Sequence, residues 1–328
     1  MTMNETRPLV LVGGDMGRGD GVDYRARLAA AFPQAEFLSY ETDPDVLERR
    51  IADASAVIGH VPEHLLPRAA RLRWVQTTGA GANAVCTPAY QQRDDVVATT
   101  ASGVHVASVP EQVLAMVLAF ARCLPEQIVN QRGAKAFYWP TPPFEVEGQT
   151  MAVLGTGRIG EALARKARGL DMRVVGWRRR EPPAADDLFD RWYAPDDLHG
   201  ALADADHVVI TLPLTPDTHR LIGDAELRAM KPTAYLYNVG RGPILDQDAL
   251  LSALRSGTIA GAGLDVTDPE PLPPDHPLWD EPNVVLLTHY GGLTPQYGPR
   301  AYAIVHGNVD RFLSGRPLVN VVDKRRGY

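Results

Sequence analysis

Residues 150–180 read TMAVLGTGRIGEALARKARGLDMRVVGWRRR. Met151 to Leu154 is a short apolar run of the kind that forms a buried strand. Gly155-Thr156-Gly157-Arg158-Ile159-Gly160 follows at once. Ile159, Leu163, Ala167 and Leu170 are then spaced by three or four, as one face of a helix requires. Val174 to Trp177 is a second apolar run. Strand, Gly-x-Gly-x-x-Gly, helix, strand within roughly 30 residues is the setting in which the glycines signal a dinucleotide site. Gly155 serves the tight turn, Gly157 leaves room for a pyrophosphate, and Gly160 lets the helix pack on the sheet. The amides at the helix start, near Arg158 and Ile159, would hold the phosphates with help from the helix dipole.

The end of the second strand distinguishes two dinucleotides. A site for NAD usually has Asp or Glu there, bound to the ribose 2′-hydroxyl. This chain has Trp177-Arg178-Arg179-Arg180, with Glu181 only afterwards. Arginine pairs with a 2′-phosphate through charge-assisted hydrogen bonds, where a carboxylate would repel it. NADP (as NADPH) is therefore the expected cofactor and NAD the second possibility; a solvated basic run is the bland alternative.

The 328 residues suffice for two domains. The chain is 45% hydrophobic and 22% charged, within the ordinary range for a globular protein. A net charge of −7 argues against nucleic acid or an anionic membrane as partner. No stretch approaches the ~20 apolar residues of a membrane span. Cys86 and Cys123 are far apart and lack metal-site spacing, so both read as thiols of a reducing compartment. Together these features predict a cytoplasmic protein without metal.

Around the central stretch the chain alternates strands and helices. The pattern predicts an α/β fold of two Rossmann-like domains with mostly parallel sheets. Residues 1–103 and 293–328 form a discontinuous, flavodoxin-like substrate domain, and residues 104–292 form the dinucleotide domain. The tail Pro317 to Val322 reads as a strand rejoining the first domain. Gly13 to Gly21 is a glycine-rich turn that lacks the Gly-Lys-Ser/Thr of a phosphate loop. Phe137, Tyr138 and Trp139 lie in an aromatic, proline-rich segment, either a dimer arm or a packed loop. Gly79, Ala80 and Gly81 follow the strand ending at Gln76, where their amides either form a nest for a carboxylate or belong to a plain turn.

Arg241, Glu270 and His289 each stand directly after one of three consecutive strands of the second domain. Each has an ordinary structural explanation alone: a surface charge, a loop acid, a core histidine. Their shared position beyond strand ends places all three at the edge of the sheet that binds the dinucleotide.

In order and spacing the chain resembles the D-isomer-specific 2-hydroxyacid dehydrogenases. The resemblance rests on Gly155 to Gly160, Leu212-Pro-Leu-Thr-Pro-Asp-Thr218, Asn238-Val-Gly-Arg-Gly-Pro-Ile-Leu-Asp246, Leu264-Asp-Val-Thr-Asp-Pro-Glu-Pro-Leu272 and Asn283-Val-Val-Leu-Leu-Thr-His-Tyr-Gly-Gly292. It is strong in the second domain and weaker in the first, where it touches Gly79 to Asn83 and Ser102 to Val104. Within the family the arginines at 178–180 make it similar to the glyoxylate/hydroxypyruvate reductases. The resemblance implies NAD(P)-dependent interconversion of a 2-keto acid and a D-2-hydroxy acid by a homodimer. It implies His289 as proton donor and acceptor, Glu270 as its partner, and Arg241 as the carboxylate clamp. Gly79, Ala80 and Gly81 would bind the other carboxylate edge. Leu212, Pro213 and Thr218 would line the cofactor crevice, with Trp177 and Gly291 beside it, and Asp265 and the Val239 carbonyl would position the nicotinamide carboxamide. The chain departs from the family at Thr288, where proline is common, and at Ala101 or Ser102, where many members have asparagine. Related readings are a non-catalytic dinucleotide sensor of the corepressor kind and a phosphoglycerate dehydrogenase-like enzyme.

Overall fold

A computed structural model describes residues 7–13, 16, 19–137, 142–179 and 187–328. Arg180, Glu181, Tyr138, Trp139 and most of the turn between Gly13 and Gly19 lie outside the described residues. The chain divides into two compact units, Met1–His105 with Thr294–Tyr328, and Val106–Leu293.

The first unit begins with β1 (Leu9–Val12), α1 (Tyr24–Ala31), β2 (Glu36–Ser39), α2 (Asp45–Arg50) and β3 (Ala54–Ile58). It continues through β4 (Trp74–Gln76), α3 (Pro88–Gln91) and β5 (Val97–Thr99). The second unit holds α4 (Ser108–Ala121), α5 (Leu124–Arg132), β6 (Thr150–Leu154), α6 (Arg158–Arg168), β7 (Arg173–Trp177) and β8 (Arg191–Tyr193). After these come α7 (Leu198–Asp204), β9 (His207–Ile210), α8 (Asp224–Ala229), β10 (Tyr235–Asn238), α9 (Gln247–Ser256), β11 (Gly261–Leu264) and β12 (Val284–Leu286). Helix α10 (Tyr297–Leu313) returns to the first unit.

All named strand pairs are parallel. Parallel strands need long crossovers, and the helices supply them. The first sheet has the order β2-β1-β3-β4-β5, the flavodoxin-like arrangement. The second has the order β12-β11-β10-β9-β6-β7-β8, and its order reverses between β6 and β9. Ligands of open α/β sheets bind outside the carboxyl ends of strands at such a reversal.

Strand periodicity explains the layers of the second unit. Ala152, Leu154, Val208 and Ile210 point to one face, with Leu227, Leu250 and Leu254 from α8 and α9. Met151, Val153 and Val209 point to the other, with Met116 and Val117 of α4 and Leu163 and Ala167 of α6. A sheet covered on both faces needs apolar residues at every strand position, hence the unbroken runs in the sequence. Asp246 caps α9 by accepting hydrogen bonds from the Asp248 and Ala249 amides, as its place before the helix predicts.

The tail corrects one expectation. Pro317 to Val322 is not a strand: its pairing with β5 is a single antiparallel bridge between Thr99 and Val321. Asn320 takes a left-handed backbone, φ +58°, which ends the pairing after one rung. Its side chain donates to the Thr100 and Ser102 carbonyls at 3.2 and 2.9 Å. An asparagine from the tail thus braces the loop from Thr100 to Ser102.

Candidate active site

The β6–α6–β7 unit is shaped for a dinucleotide. Gly155 has φ +99°, a left-handed conformation that L side chains rarely adopt, and its amide donates to the Trp177 carbonyl at 3.0 Å. A Cβ on Gly160 would strike the Gly155 carbonyl oxygen and lie 3.0 Å from Val153. A Cβ on Gly157 would meet no protein atom within 4 Å, so the space beside it is open to a ligand. The buried hydroxyl of Thr156 and the buried indole N–H of Trp177 have no hydrogen-bond partner among the described residues. The first amides of α6 lack carbonyl acceptors within their own helix. Open space, orphaned donors and a helix N-terminus together fit the pyrophosphate end of a dinucleotide.

At the ribose end, Arg178 lies over the Trp192 ring, 5.6 Å from its centroid. Arg179 pairs with Asp217 at 3.1 Å. The guanidinium of Arg178 is thereby preorganised beside the end of β7, whereas that of Arg179 is shared with a carboxylate. Beyond β9, Leu212 packs on Gly155. The Thr218 hydroxyl donates to the Pro213 carbonyl at 2.7 Å and accepts from the Thr215 amide at 2.8 Å. Thr218 is buried, and its hydroxyl is spent on the shape of its own loop.

The register pairs Asn238 with Leu264 and Leu264 with Leu286, so β10, β11 and β12 end level with one another. Arg241, Glu270 and His289 leave from these aligned ends. The Nδ1 atom of His289 lies 2.5 Å from Oε1 of Glu270. Both side chains are more than two-fifths exposed, so the pair adds little to stability; its consequence is to orient the ring. Burial pulls the Arg241 guanidinium below its usual pKa, and the charge of Glu270 acts in the opposite direction. Arginine stays protonated regardless. One Arg241 nitrogen donates to the Gly240 carbonyl at 2.7 Å. A cavity of about 340 Å³ is bounded by Glu270 and His289 together with Thr267, Leu272, Trp279 and Leu287.

Two residues position this set in ways the sequence reading missed. Asp265 is buried, and its carboxylate accepts from the amides of Tyr290 (2.8 Å) and Gly291 (3.1 Å). Its carbonyl accepts from the His289 amide at 2.7 Å. Asp265 thus fixes the turn in which His289 adopts φ +55°. Asn238 is fully buried; it donates to the Arg241 carbonyl at 3.0 Å and accepts from the Gly240 amide at 3.1 Å. The quoted motifs contain both residues, but nothing local marks their partners. Val239 is buried beside this turn.

Gly79, Ala80 and Gly81 lie in the first unit, after β4. The Gly79 carbonyl accepts from the Ala101 amide at 2.8 Å and from the Thr77 hydroxyl at 3.0 Å.

Among the described residues no single helix is long and apolar enough to cross a membrane. Residues 114–291 match the family model of the D-isomer specific 2-hydroxyacid dehydrogenase, NAD binding domain. The chain is 37% identical over 311 residues to a glyoxylate/hydroxypyruvate reductase B of Pectobacterium carotovorum, covering 92% of this chain and 94% of the relative. A D-isomer specific 2-hydroxyacid dehydrogenase from Xanthobacter autotrophicus, solved with NADPH, matches with a TM-score of 0.83 and 31% identity, over 97% of this chain and 99% of that one. An NADPH-dependent glyoxylate/hydroxypyruvate reductase from Sinorhizobium meliloti, solved with NADP and sulfate, matches with a TM-score of 0.82 and 26% identity, over 98% of this chain and 100% of that one. With more than half of its length on the family model and a curated relative along nearly all of it, the chain belongs to the D-isomer specific 2-hydroxyacid dehydrogenase family.

Proposed function

We propose that this protein is an NADPH-preferring oxidoreductase that interconverts a small 2-keto acid and its D-2-hydroxy acid, as a reductase of the glyoxylate/hydroxypyruvate type. The observation that carries the reading is the Glu270–His289 pair, held with Arg241 at the aligned ends of three parallel strands of a dinucleotide-binding sheet.

A bound nicotinamide would supply the hydride. The protein's own residues handle charge and protons. Glu270 takes the Nδ1 side of the imidazole, which leaves Nε2 as the exchanging atom. In reduction Nε2 of protonated His289 donates to the carbonyl oxygen; in oxidation neutral His289 takes the proton back. Arg241 clamps the substrate carboxylate and polarises the ketone through its remaining donors. Within the first unit, the Gly79, Ala80 and Gly81 amides offer donors suited to a carboxylate oxygen. Gly155, Gly157, Gly160 and the first amides of α6, at Arg158 and Ile159, cradle the pyrophosphate. Arg178 meets the 2′-phosphate, with Arg179 beside it. Leu212, Pro213, Thr218, Trp177, Val239 and Gly291 form walls of the cofactor site. Asp265 serves the nicotinamide carboxamide in addition to the His289 turn.

A second copy of the chain is part of the proposal. Helix α5 buries none of its residues, and Leu124, Ile128 and Val129 are 47%, 48% and 72% exposed. Apolar side chains so placed favour a partner surface. A dimeric mass by light scattering, lost in Val129→Asp, is expected; a wild-type monomer would remove this part. Two cysteines at separate places in the chain, Cys86 and Cys123, support a cytoplasmic location.

The reading is tested by following NADPH absorbance with glyoxylate, hydroxypyruvate, pyruvate and phenylpyruvate, with NADH in parallel. Turnover with NADPH favoured is expected. NADPH binding without turnover of any of the four would overturn it.

A further inference from the structure

We propose that Tyr297 is a positioning residue for the carboxylate-binding loop after β4, holding it open for an anion from beneath. The inference rests on the function proposed above and concerns the first unit alone.

Three consecutive carbonyls of this loop are each held from the protein side. Gln76 Nε2 donates to the Thr77 carbonyl at 2.8 Å. The Tyr297 hydroxyl donates to the Thr78 carbonyl at 2.8 Å. The Ala101 amide and the Thr77 hydroxyl donate to the Gly79 carbonyl at 2.8 and 3.0 Å. In a planar trans peptide the N–H of the next residue points opposite to the carbonyl. Holding these carbonyls therefore turns the amides of Thr78, Gly79 and Ala80 away from the groups that hold them. Among the described residues none of those three amides makes a hydrogen bond. Successive unspent amides form a concavity for oxyanions.

Helix α10 underlies the arrangement twice. Tyr297 and Asn308 lie about three turns apart, on one face of the helix. Asn308 is fully buried and donates to Gln76 Oε1 at 2.8 Å, as does the Thr99 hydroxyl at the same distance. Both donors occupy the oxygen of the Gln76 amide, so its nitrogen faces the Thr77 carbonyl. Tyr297 is itself buried, with its ring among Ala101, Val104 and Ala301. The ring is anchored by packing, and the hydroxyl reaches the Thr78 carbonyl on the loop.

The test is Tyr297→Phe, which keeps the ring and removes the hydroxyl. One net hydrogen bond is worth about 1 kcal/mol, or about fivefold. The KM for glyoxylate should rise by about fivefold, oxalate should inhibit about fivefold more weakly, and kcat and NADPH affinity should stay within about twofold. Tyr90→Phe is the control, because its buried hydroxyl donates to the Val61 carbonyl at 3.0 Å elsewhere in the same unit. It should lose comparable stability and leave KM unchanged. If Tyr297→Phe does not fold, Thr77→Val removes one hold on the Gly79 carbonyl and should raise KM by about twofold. An unchanged KM and oxalate affinity in the loop variants, or an equal rise in Tyr90→Phe, overturns the inference. Wild-type protein inactive on every keto acid would instead overturn the functional reading. Oxalate binding by calorimetry, wild type against Tyr297→Phe, would then decide the inference by itself.

Discussion

Gly242 and Thr267 meet backbone to backbone. A Cβ on Gly242 would collide with the Thr267 carbonyl oxygen and lie 2.8 Å from the Asp268 amide nitrogen. The contact joins the loop carrying Arg241 to the loop carrying Glu270, one residue from the first and three from the second. The close backbone contact ties the spacing of the two charged groups to the main chain. Gly242→Ala must push them apart. Overpacking of this kind costs about 1–3 kcal/mol. A displacement on the order of 1 Å at a reacting centre costs up to about 100-fold in rate. The expected outcome is a lowered melting temperature and a kcat/KM at least about tenfold lower, with NADPH affinity retained. A variant with wild-type kcat/KM would show that the loops are not coupled.

His289 and Glu270 separate by the kinetics of their variants. His289→Ala removes the group proposed to exchange the proton, and such groups contribute about 100- to 10,000-fold. Glu270→Gln keeps the shape and a hydrogen-bonding oxygen but loses the charge, so a smaller loss in kcat is expected, about tenfold or more. NADPH affinity, followed by fluorescence titration, should be intact in both. Wild-type turnover in His289→Ala would end its assignment as acid and base.

In the proposed function Arg178 discriminates between the two dinucleotides. Two charge-assisted bonds of about 1.5 kcal/mol each are worth about 100-fold. Arg178→Ala should lower kcat/KM with NADPH by up to that factor and leave the value with NADH nearly unchanged. Because Arg179 is already paired with Asp217, Arg179→Ala should have the smaller effect. An Arg178 variant that keeps its preference for NADPH would shift the discrimination elsewhere.

The sequence carried the fold wherever structure is written in short periods. β6, α6 and β7 were legible because an apolar run, three glycines and a helical face lie next to one another. Arg241, Glu270 and His289 were legible because each follows a strand, and the register aligns those strand ends. The tail departs from the expected strand because Leu318, Val319, Val321 and Val322 have strand composition, while the left-handed Asn320 between them gives no apolar signal. The supporting contacts were illegible for a different reason. Asp265 reaches amides 25 and 26 residues away, and Tyr297 reaches a carbonyl 219 residues away. Hydrogen bonds of that span leave no local pattern. The residues of the proposed site stand in its motifs, and their bracing is visible only in three dimensions.

His207 predicts how stability depends on pH. It opens β9 with a side chain buried against Tyr235 and Tyr237. Nδ1 lies 3.1 Å from the Tyr237 hydroxyl and Nε2 lies 2.7 Å from Gln149 Oε1. Gln149 Oε1 can only accept, so Nε2 carries the proton and Nδ1 accepts from Tyr237, which describes a neutral ring. Burial drives its pKa from 6.5 down to about 4; Asp206 opposes the shift and Lys231 adds to it. The folded value lies below the unfolded one, so in the interval between them the unfolded chain binds a proton that the folded chain does not. Stability from this group is complete above pH 6.5 and is lost as pH falls toward 4. At 1.36 kcal/mol per pH unit the full interval amounts to about 3 kcal/mol. The lowered carboxyls of Asp190, Asp206 and Glu226 lose their contributions only at more acid pH, as they protonate from reference values of 3.8 and 4.5. Between about pH 6.5 and 5 the imidazole therefore sets the slope. Urea midpoints of the wild type should fall across that window, and those of His207→Gln should be nearly flat, whatever the variant's absolute stability. Parallel slopes in the two proteins would show that His207 titrates alike in the folded and unfolded chain.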